Sequence, residues 1–231
     1  MITSFGRNAA ADVPRYCFDR AFIFALKDYL QGLLNATVQK GSMQWCANNA
    51  MSGGLAGLIF NFIIYPYDNL KVRTSQLKMM VKLAHPEAAP NFTVFETLKH
   101  VKGTEGLWSL YRNIGVRSYG IFLYRSMLFG YYDSFKPIFR IEKDYLLSFI
   151  LGWMVSTFSV AVTEPIKAIE NAQNLYVPID RSMMISGLKT RWENEGISLF
   201  GKGITRAVYR GFFGGILLVL YDWFKANPLP L

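Results

Sequence analysis

The sequence predicts an all-α membrane protein assembled from internal repeats, and three observations predict it. Of its 231 residues, 52% are hydrophobic and 18% charged. The mean hydropathy is +0.18. Several apolar runs reach the roughly 20 residues that a helix needs to cross a bilayer. Second, the run that begins near Trp45 ends in Tyr65-Pro66-Tyr67-Asp68-Asn69-Leu70-Lys71-Val72-Arg73. Proline removes a backbone hydrogen bond and bends a helix. Ionisable groups at membrane depth are expensive and point inward to partners. Third, ninety-nine residues after Pro66 the construction recurs as Thr163-Glu164-Pro165-Ile166-Lys167-Ala168-Ile169-Glu170. The net charge is +9. A nucleic-acid binder would gather its bases on one polar face. Here they flank apolar runs, so membrane topology is expected and nucleic acid is not.

A first apolar helix is expected from about Val13 to Leu34, with Arg15 and Arg20 near its start and Leu26-Lys27-Asp28-Tyr29-Leu30-Gln31 at its close. The second runs from about Trp45 to Val72. Its Gly53 and Gly57 share a face, which lets helices approach closely in lipid. Residues 74 to 90, with Pro86 and Pro90, read as a polar connection. Phe92, Phe95, Leu98 and Val101 then recur at helical spacing and predict a short amphipathic helix over 91–103. A Glu-Gly turn over 105–112 leads to a third membrane helix, about Tyr111 to Phe135. A fourth is expected from Tyr145 to Gln173. A second amphipathic segment, about Arg181 to Glu193, leads to Glu195-Gly196 and on to Gly201-Lys202-Gly203. The fifth span runs from about Ile204 to Lys225. The chain thus divides into a one-helix remnant (1–40) and two full repeats (41–140 and 141–231). Internal repeats of this kind place function at their interface.

Cys17 and Cys46 suggest neither a disulfide framework nor a metal site. No cofactor is expected, and no apolar segment marks a cleavable presequence. His85 and His100 belong to no nucleophile–base pair, so an enzyme is not expected. Sixteen of the 25 bases fall in the N-terminal tail, the two long loops and the adjoining helix ends. The positive-inside rule puts that face on the side of synthesis or its equivalent, so five spans place the N-terminus on that side and the C-terminus on the other.

A kinked helix, a surface helix, a Glu-Gly turn and a straight helix, repeated at about 100 residues, resemble the mitochondrial carrier family. Three stretches resemble its ADP/ATP carrier branch: Arg15-Tyr16 with Phe24-Ala25-Leu26-Lys27-Asp28; Gly120-Ile121-Phe122-Leu123-Tyr124-Arg125 with Phe129-Gly130-Tyr131-Tyr132-Asp133; and Arg210-Gly211-Phe212-Phe213-Gly214-Gly215 with Leu218-Val219-Leu220-Tyr221-Asp222. The likeness covers about Phe5 to Lys225. It implies an incomplete carrier fold, with five transmembrane helices, two short matrix surface helices and pseudo-threefold repeats, in the inner membrane, with the base-rich face and the N-terminus in the matrix and the C-terminus in the intermembrane space. It implies that Arg15, Gly120, Ile121, Tyr124 and Arg210 face a central cavity, either as an ADP/ATP site or as inherited packing. Guanidinium groups suit polyphosphate; Gly120 would let an adenine approach backbone, and Tyr124 would offer a face to stack on. It implies a cytosolic gate of Asp28, Asp133 with Lys136, and Asp222 with Lys225, and a matrix gate of Pro66, Asp68, Lys71, Pro165, Lys167 and Glu170. It also implies cardiolipin bound at Gly106 and Arg112 and at Gly201, Lys202 and Gly203.

The departures from the family pattern set the functional expectation. The chain starts where the family's first helix has already passed, which implies an open flank for a neighbouring membrane-protein subunit to cover. The first cytosolic copy pairs Asp28 with Gln31 instead of a base, so one of three bonds is expected to be lost. The fourth span carries Pro165-x-Lys167-x-x-Glu170, the inverse of the family's proline, acid, base order. Asp68 is therefore expected to face Glu170, so that the two repel or one takes a proton. The ADP/ATP carriers' arginine-and-methionine signature is absent at Asn171-Ala172-Gln173-Asn174-Leu175-Tyr176, and Asn113 stands where glycine is usual. The favoured expectation is a transport-incompetent structural subunit of a larger inner-membrane complex of respiratory-chain type. The alternative is an ADP/ATP exchange carrier with the missing helix supplied by another chain.

Overall fold

The computed structural model describes residues 2–84, 93–112, 114–139, 141, 144–173 and 198–227, with side chains described for fewer of them. Among these the fold is all-helical: α1 (Ile2–Leu34), α2 (Met43–Ala84), α3 (Val94–Thr104), a 3-10 turn (Leu107–Tyr111), α4 (Ile114–Ile138), α5 (Tyr145–Gln173) and α6 (Ser198–Ala226). The fourth expected span matches α5 residue for residue. The surface helix expected over 91–103 is α3, whose start is capped by the Glu96 carboxylate accepting the Thr93 N–H at 3.0 Å. The second surface helix, about Arg181 to Glu193, lies outside the described residues, as do Asn113 and Asn174 to Tyr176.

Three boundaries differ from expectation by more than three residues. α2 continues through Pro66 to Ala84, twelve residues past the expected end at Val72. Residues 74–84 look polar but contain no glycine or proline, and Gln76, Leu77, Lys78, Met79, Met80, Lys82, Leu83 and Ala84 are all good helix formers. α1 likewise begins eleven residues before Val13. α6 begins at Ser198, so Gly201, Lys202 and Gly203 sit inside its first two turns and not in a preceding turn. Three helices carry stretches long and apolar enough to cross a membrane: Met43–Val81, Tyr145–Lys167 and Ala207–Ala226. The other two expected spans, in α1 and α4, have the length but carry charges along it.

The chain folds as two compact units that cut across the repeats. The first takes Met1–Phe60, Ile121–Val162 and Ile204–Leu231; the second takes Asn61–Gly120 and Thr163–Gly203. In the first unit Ile23, Ala56, Leu128, Phe129, Tyr132, Val155 and Leu218 form one core, so α1, α2, α4, α5 and α6 all contribute. Gly53 and Gly57 do serve the close approach expected of them. A Cβ on Gly53 would lie 2.9 Å from the Arg125 carbonyl oxygen, and one on Gly57 would lie 2.8 Å from Arg125 Cγ. In the second unit Leu70, Val101 and Leu110 form a smaller core. Polar bonds tie α2 to the 3-10 turn and to Arg112 at its end: Tyr65 donates to the Arg112 carbonyl at 2.5 Å and Asn69 to the Leu110 carbonyl at 2.6 Å. Arg73 donates to Glu105 at 2.9 Å and to the Ser109 carbonyl at 3.1 Å.

Candidate functional site

Three aspartates end three helices of the first unit, and each meets a cation from another helix. Lys225 of α6 reaches Asp28 of α1 at 3.2 Å. Lys27 of α1 reaches Asp133 of α4 at 2.5 Å. Lys136 of α4 reaches Asp222 of α6 at 2.7 Å. The ring is therefore complete, which corrects the expected lost bond. Gln31 does lack the charge, and donates only an amide bond to Asp133 at 3.3 Å. Lys27, immediately before Asp28, supplies the cation in its place. Its side chain is 1% exposed and its ammonium lies 5.4 Å from the ring centres of Phe129 and Tyr221. A buried ammonium so placed is tolerable only with a counter-charge, and Asp133 provides it. Two tyrosine hydroxyls brace the ring, Tyr132 donating to Asp222 and Tyr221 to Asp28.

In the second unit the inverted motif is compensated. Arg117 of α4 lies between the two acids, 2.5 Å from Asp68 of α2 and 3.7 Å from Glu170 of α5. The two acids expected to repel one another thus share a guanidinium, whose carbon also lies 5.3 Å from the centre of the Tyr65 ring. Lys71, Val72, Ser75, Gln76, Met79, Asp68 and Arg117 line an open cavity of about 490 Å³. Pro66 and Pro165 both sit inside continuous helices, and Lys167 is half-buried one turn before Glu170.

The residues expected to contact nucleotide are distributed differently. Arg15, Ile121, Tyr124 and Arg210 belong to the first unit and Gly120 to the second. Arg15 pairs with Asp19 one turn on at 3.9 Å, and Arg210 is exposed on α6. At Gly120, Ile166 Cγ2 lies 3.0 Å from where a Cβ would stand. Gly106 adopts φ 80°, a conformation that favours glycine, and Arg112 ends the 3-10 turn. The side chain of Lys202 is outside the described residues.

Sequence reasoning passed over Lys27, Arg117 and Arg125. Arg125, next to the expected contact Tyr124, is only 7% exposed. Its guanidinium lies 5.6 Å from the Tyr124 ring centre and 5.9 Å from that of Phe129. Among the described residues it has neither a hydrogen-bond acceptor nor a carboxylate. Such ring contacts contribute up to about 2 kcal/mol each, against a burial cost of several kcal/mol for the ion.

The sequence matches those of known proteins. The family model described as "Mitochondrial carrier protein" matches residues 43–143. The ADP,ATP carrier protein ER-ANT1 of Arabidopsis thaliana is 31% identical over 228 residues, spanning 96% of this chain and 74% of that protein. An ADP,ATP carrier protein of Kluyveromyces lactis is 30% identical over 236 residues, spanning 96% and 73%. ADP,ATP carrier protein 1 of Saccharomyces cerevisiae is 29% identical over 237 residues, again 96% and 73%. The chain belongs to the mitochondrial carrier family. Within that family it is similar to the ADP/ATP carriers.

Proposed function

We propose that this chain is an ADP/ATP-carrier-like protein of the mitochondrial inner membrane that exchanges no nucleotide by itself. Its role is that of a structural accessory subunit in a larger inner-membrane complex of respiratory-chain type. The observation that carries the reading is that both charge networks are engaged in one conformation. The aspartate–lysine ring of the first unit is complete, and Arg117 ties Asp68 to Glu170 in the second. Alternating access requires two closures that form in turn, each gained as the other is lost. Where both are made together, opening either breaks ion pairs with nothing gained in return. Neighbouring subunits and lipid are the partners this reading implies, with cardiolipin at Gly106 and Arg112 and at the start of α6.

Reconstitution tests it. Purified chain in liposomes is expected to exchange no labelled ADP for ATP above empty vesicles, and to migrate in a large assembly on native gels after mild solubilisation. Exchange by the isolated chain would overturn the proposal. The second reading is an exchange carrier working with another chain. The completeness of the ring favours it, because a lock of three full pairs is one that can be remade after opening.

A further inference from the structure

The helices of the first unit are fastened to one another in two different ways. α2 and α4 touch backbone to backbone, and each brings a glycine to the seam. A Cβ on Gly53 would lie 2.9 Å from the Arg125 carbonyl oxygen, and one on Gly130 would lie 3.0 Å from the Ala50 Cα. α5 and α6 meet in the same manner. A Cβ on Gly211 would lie 2.9 Å from the Thr157 nitrogen, and one on Gly215 would lie 3.0 Å from the Trp153 nitrogen. Helices this close have little side chain between them to rearrange, so each pair moves as one piece. α1 joins the first pair through polar bonds instead. Asn49 of α2 is 0% exposed and accepts from the Gln31 and Asn35 amides at 2.8 Å each. Asn48 donates to the Leu34 carbonyl at 2.8 Å. Gln31 also donates to Asp133 of α4, the partner of the buried Lys27.

Between these two groups the contacts are made by side chains. Lys225 of α6 meets Asp28 of α1 at 3.2 Å, with side chains 56% and 33% exposed. Lys136 of α4 meets Asp222 of α6 at 2.7 Å. The Phe24 and Tyr221 rings stack 4.4 Å apart, and Phe158 of α5 meets Tyr131 of α4 with ring centres 6.1 Å apart. Salt screens exposed ion pairs, whereas the amides that hold α1 carry no charge to screen. We infer that the first unit opens as two bodies and not as three: α1, α2 and α4 stay together, and α5 with α6 parts from them at the aspartate–lysine ring. Repeats that rock as rigid bodies would give three moving parts; the Asn49 cluster removes one by tying the remnant repeat to the second. The ring then has a fixed corner at Asp133 and two corners that separate, at Asp28 and Asp222. This follows from which helices are fastened, so it stands whether or not the chain exchanges nucleotide.

Distances between paired spin labels test it, in the full chain held in lipid nanodiscs with Cys17→Ser and Cys46→Ser. Leu33→Cys on α1, Ile138→Cys on α4 and Phe224→Cys on α6, taken two at a time, put labels on exposed side chains near the ring. The seam is loosened by Asp222→Asn, which removes the partner of Lys136, in about 1 M potassium chloride, where the screening length is ~3 Å. The α1–α6 and α4–α6 distances are expected to lengthen or broaden, while the α1–α4 distance stays as in the parent at low salt. Adding Asn49→Leu should then free α1, so that the α1–α4 distance broadens as well. If Asp222→Asn fails to fold, the parent in the same salt gives the comparison; if Asn49→Leu does, Gln31→Met removes one of the two amide donors in its place. All three distances lengthening together while Asn49 is intact, or none of them changing, overturns the proposal.

Discussion

Lys27 and Lys225 both hold a carboxylate of the ring, yet they should respond very differently to removal. Lys27 is 1% exposed and faces an Asp133 side chain that is 14% exposed. Taking one partner from a buried pair strands the other, at about 3–5 kcal/mol, so Lys27→Met should lower unfolding stability in detergent by that order. Lys225 is 56% exposed, and Asp28 keeps the Tyr221 hydroxyl and Lys27 in its absence. Lys225→Ala should therefore cost less than about 1 kcal/mol. Equal losses in the two variants would show that the ring is not organised as described. Glu105 adds a pH dependence outside the membrane spans. The hydrogen bond from Arg73 holds its carboxyl below the ordinary value of about 4.5, with burial acting in the opposite sense. That stabilisation is present above about pH 4.5 and is lost as pH falls through the lowered folded value. Glu105→Gln should flatten this acid limb slightly, by under about 1 kcal/mol, since Glu105 is more than a third exposed. Superimposable Tm–pH curves for parent and variant would refute it. The aspartates of the ring were legible because a repeat marks them. Lys27 was not, because it breaks the repeat: Tyr132 and Tyr221 hold its place before the other two aspartates. Arg117 does recur, as Arg206, but a repeated base does not name the acids it meets, and only its place in space does.

Among the elements, α5 was read to the residue because its apolar run is bounded at both ends, whereas α2 was cut short at its first cluster of bases. The charges of Lys71 and Arg73 mark a change of surroundings, not the end of a helix, and residues 74–84 have the propensity to continue it. Helix packing was partly legible too: small residues four apart announced an interface, although not which helix lies against it. The α5–α6 contact makes that measurable. A Cβ on Gly211 would lie 2.9 Å from the Thr157 backbone nitrogen and 3.0 Å from its Cα, so backbone and not only a side chain must give way. Gly211→Ala should cost about 1–3 kcal/mol through overpacking. Gly32, in the last turns of α1, has nothing within 4 Å of its ideal Cβ. Gly32→Ala should be neutral or stabilising by up to about 1 kcal/mol, because it removes backbone freedom from the unfolded chain. A destabilised Gly32→Ala alongside an unaffected Gly211→Ala would reverse the packing assignment.

For the whole molecule, the number of spans turns on whether α1 and α4 cross the membrane with α2, α5 and α6. Composition alone favours three spans, since among the described residues those three helices carry the apolar stretches of sufficient length. Five spans are favoured by where the charges of the other two helices go. In α1, Lys27 and Asp28 are spent on the ring. In α4, Asp133 and Lys136 belong to the same ring, Arg117 is held by two acids, and Arg125 is buried. A charge facing protein does not face lipid, so the hydropathy of such a helix understates its fitness to cross. At 33 and 25 residues the two helices are also long enough, at ~50 and ~37 Å against a hydrocarbon core of ~30 Å. The two topologies differ at the connection between α4 and α5. With five spans and the base-rich face in the matrix, Asp144 lies in the intermembrane space and His100, on α3, in the matrix. With three, α4 does not cross and both lie on one side. Single cysteines at these positions, Asp144→Cys and His100→Cys, in a Cys17→Ser, Cys46→Ser background, separate the cases. In mitoplasts with an intact inner membrane, an impermeant maleimide should label the Asp144→Cys protein. It should reach the His100→Cys protein only after permeabilisation. Labelling of both before permeabilisation, or of neither, would reject the five-span arrangement.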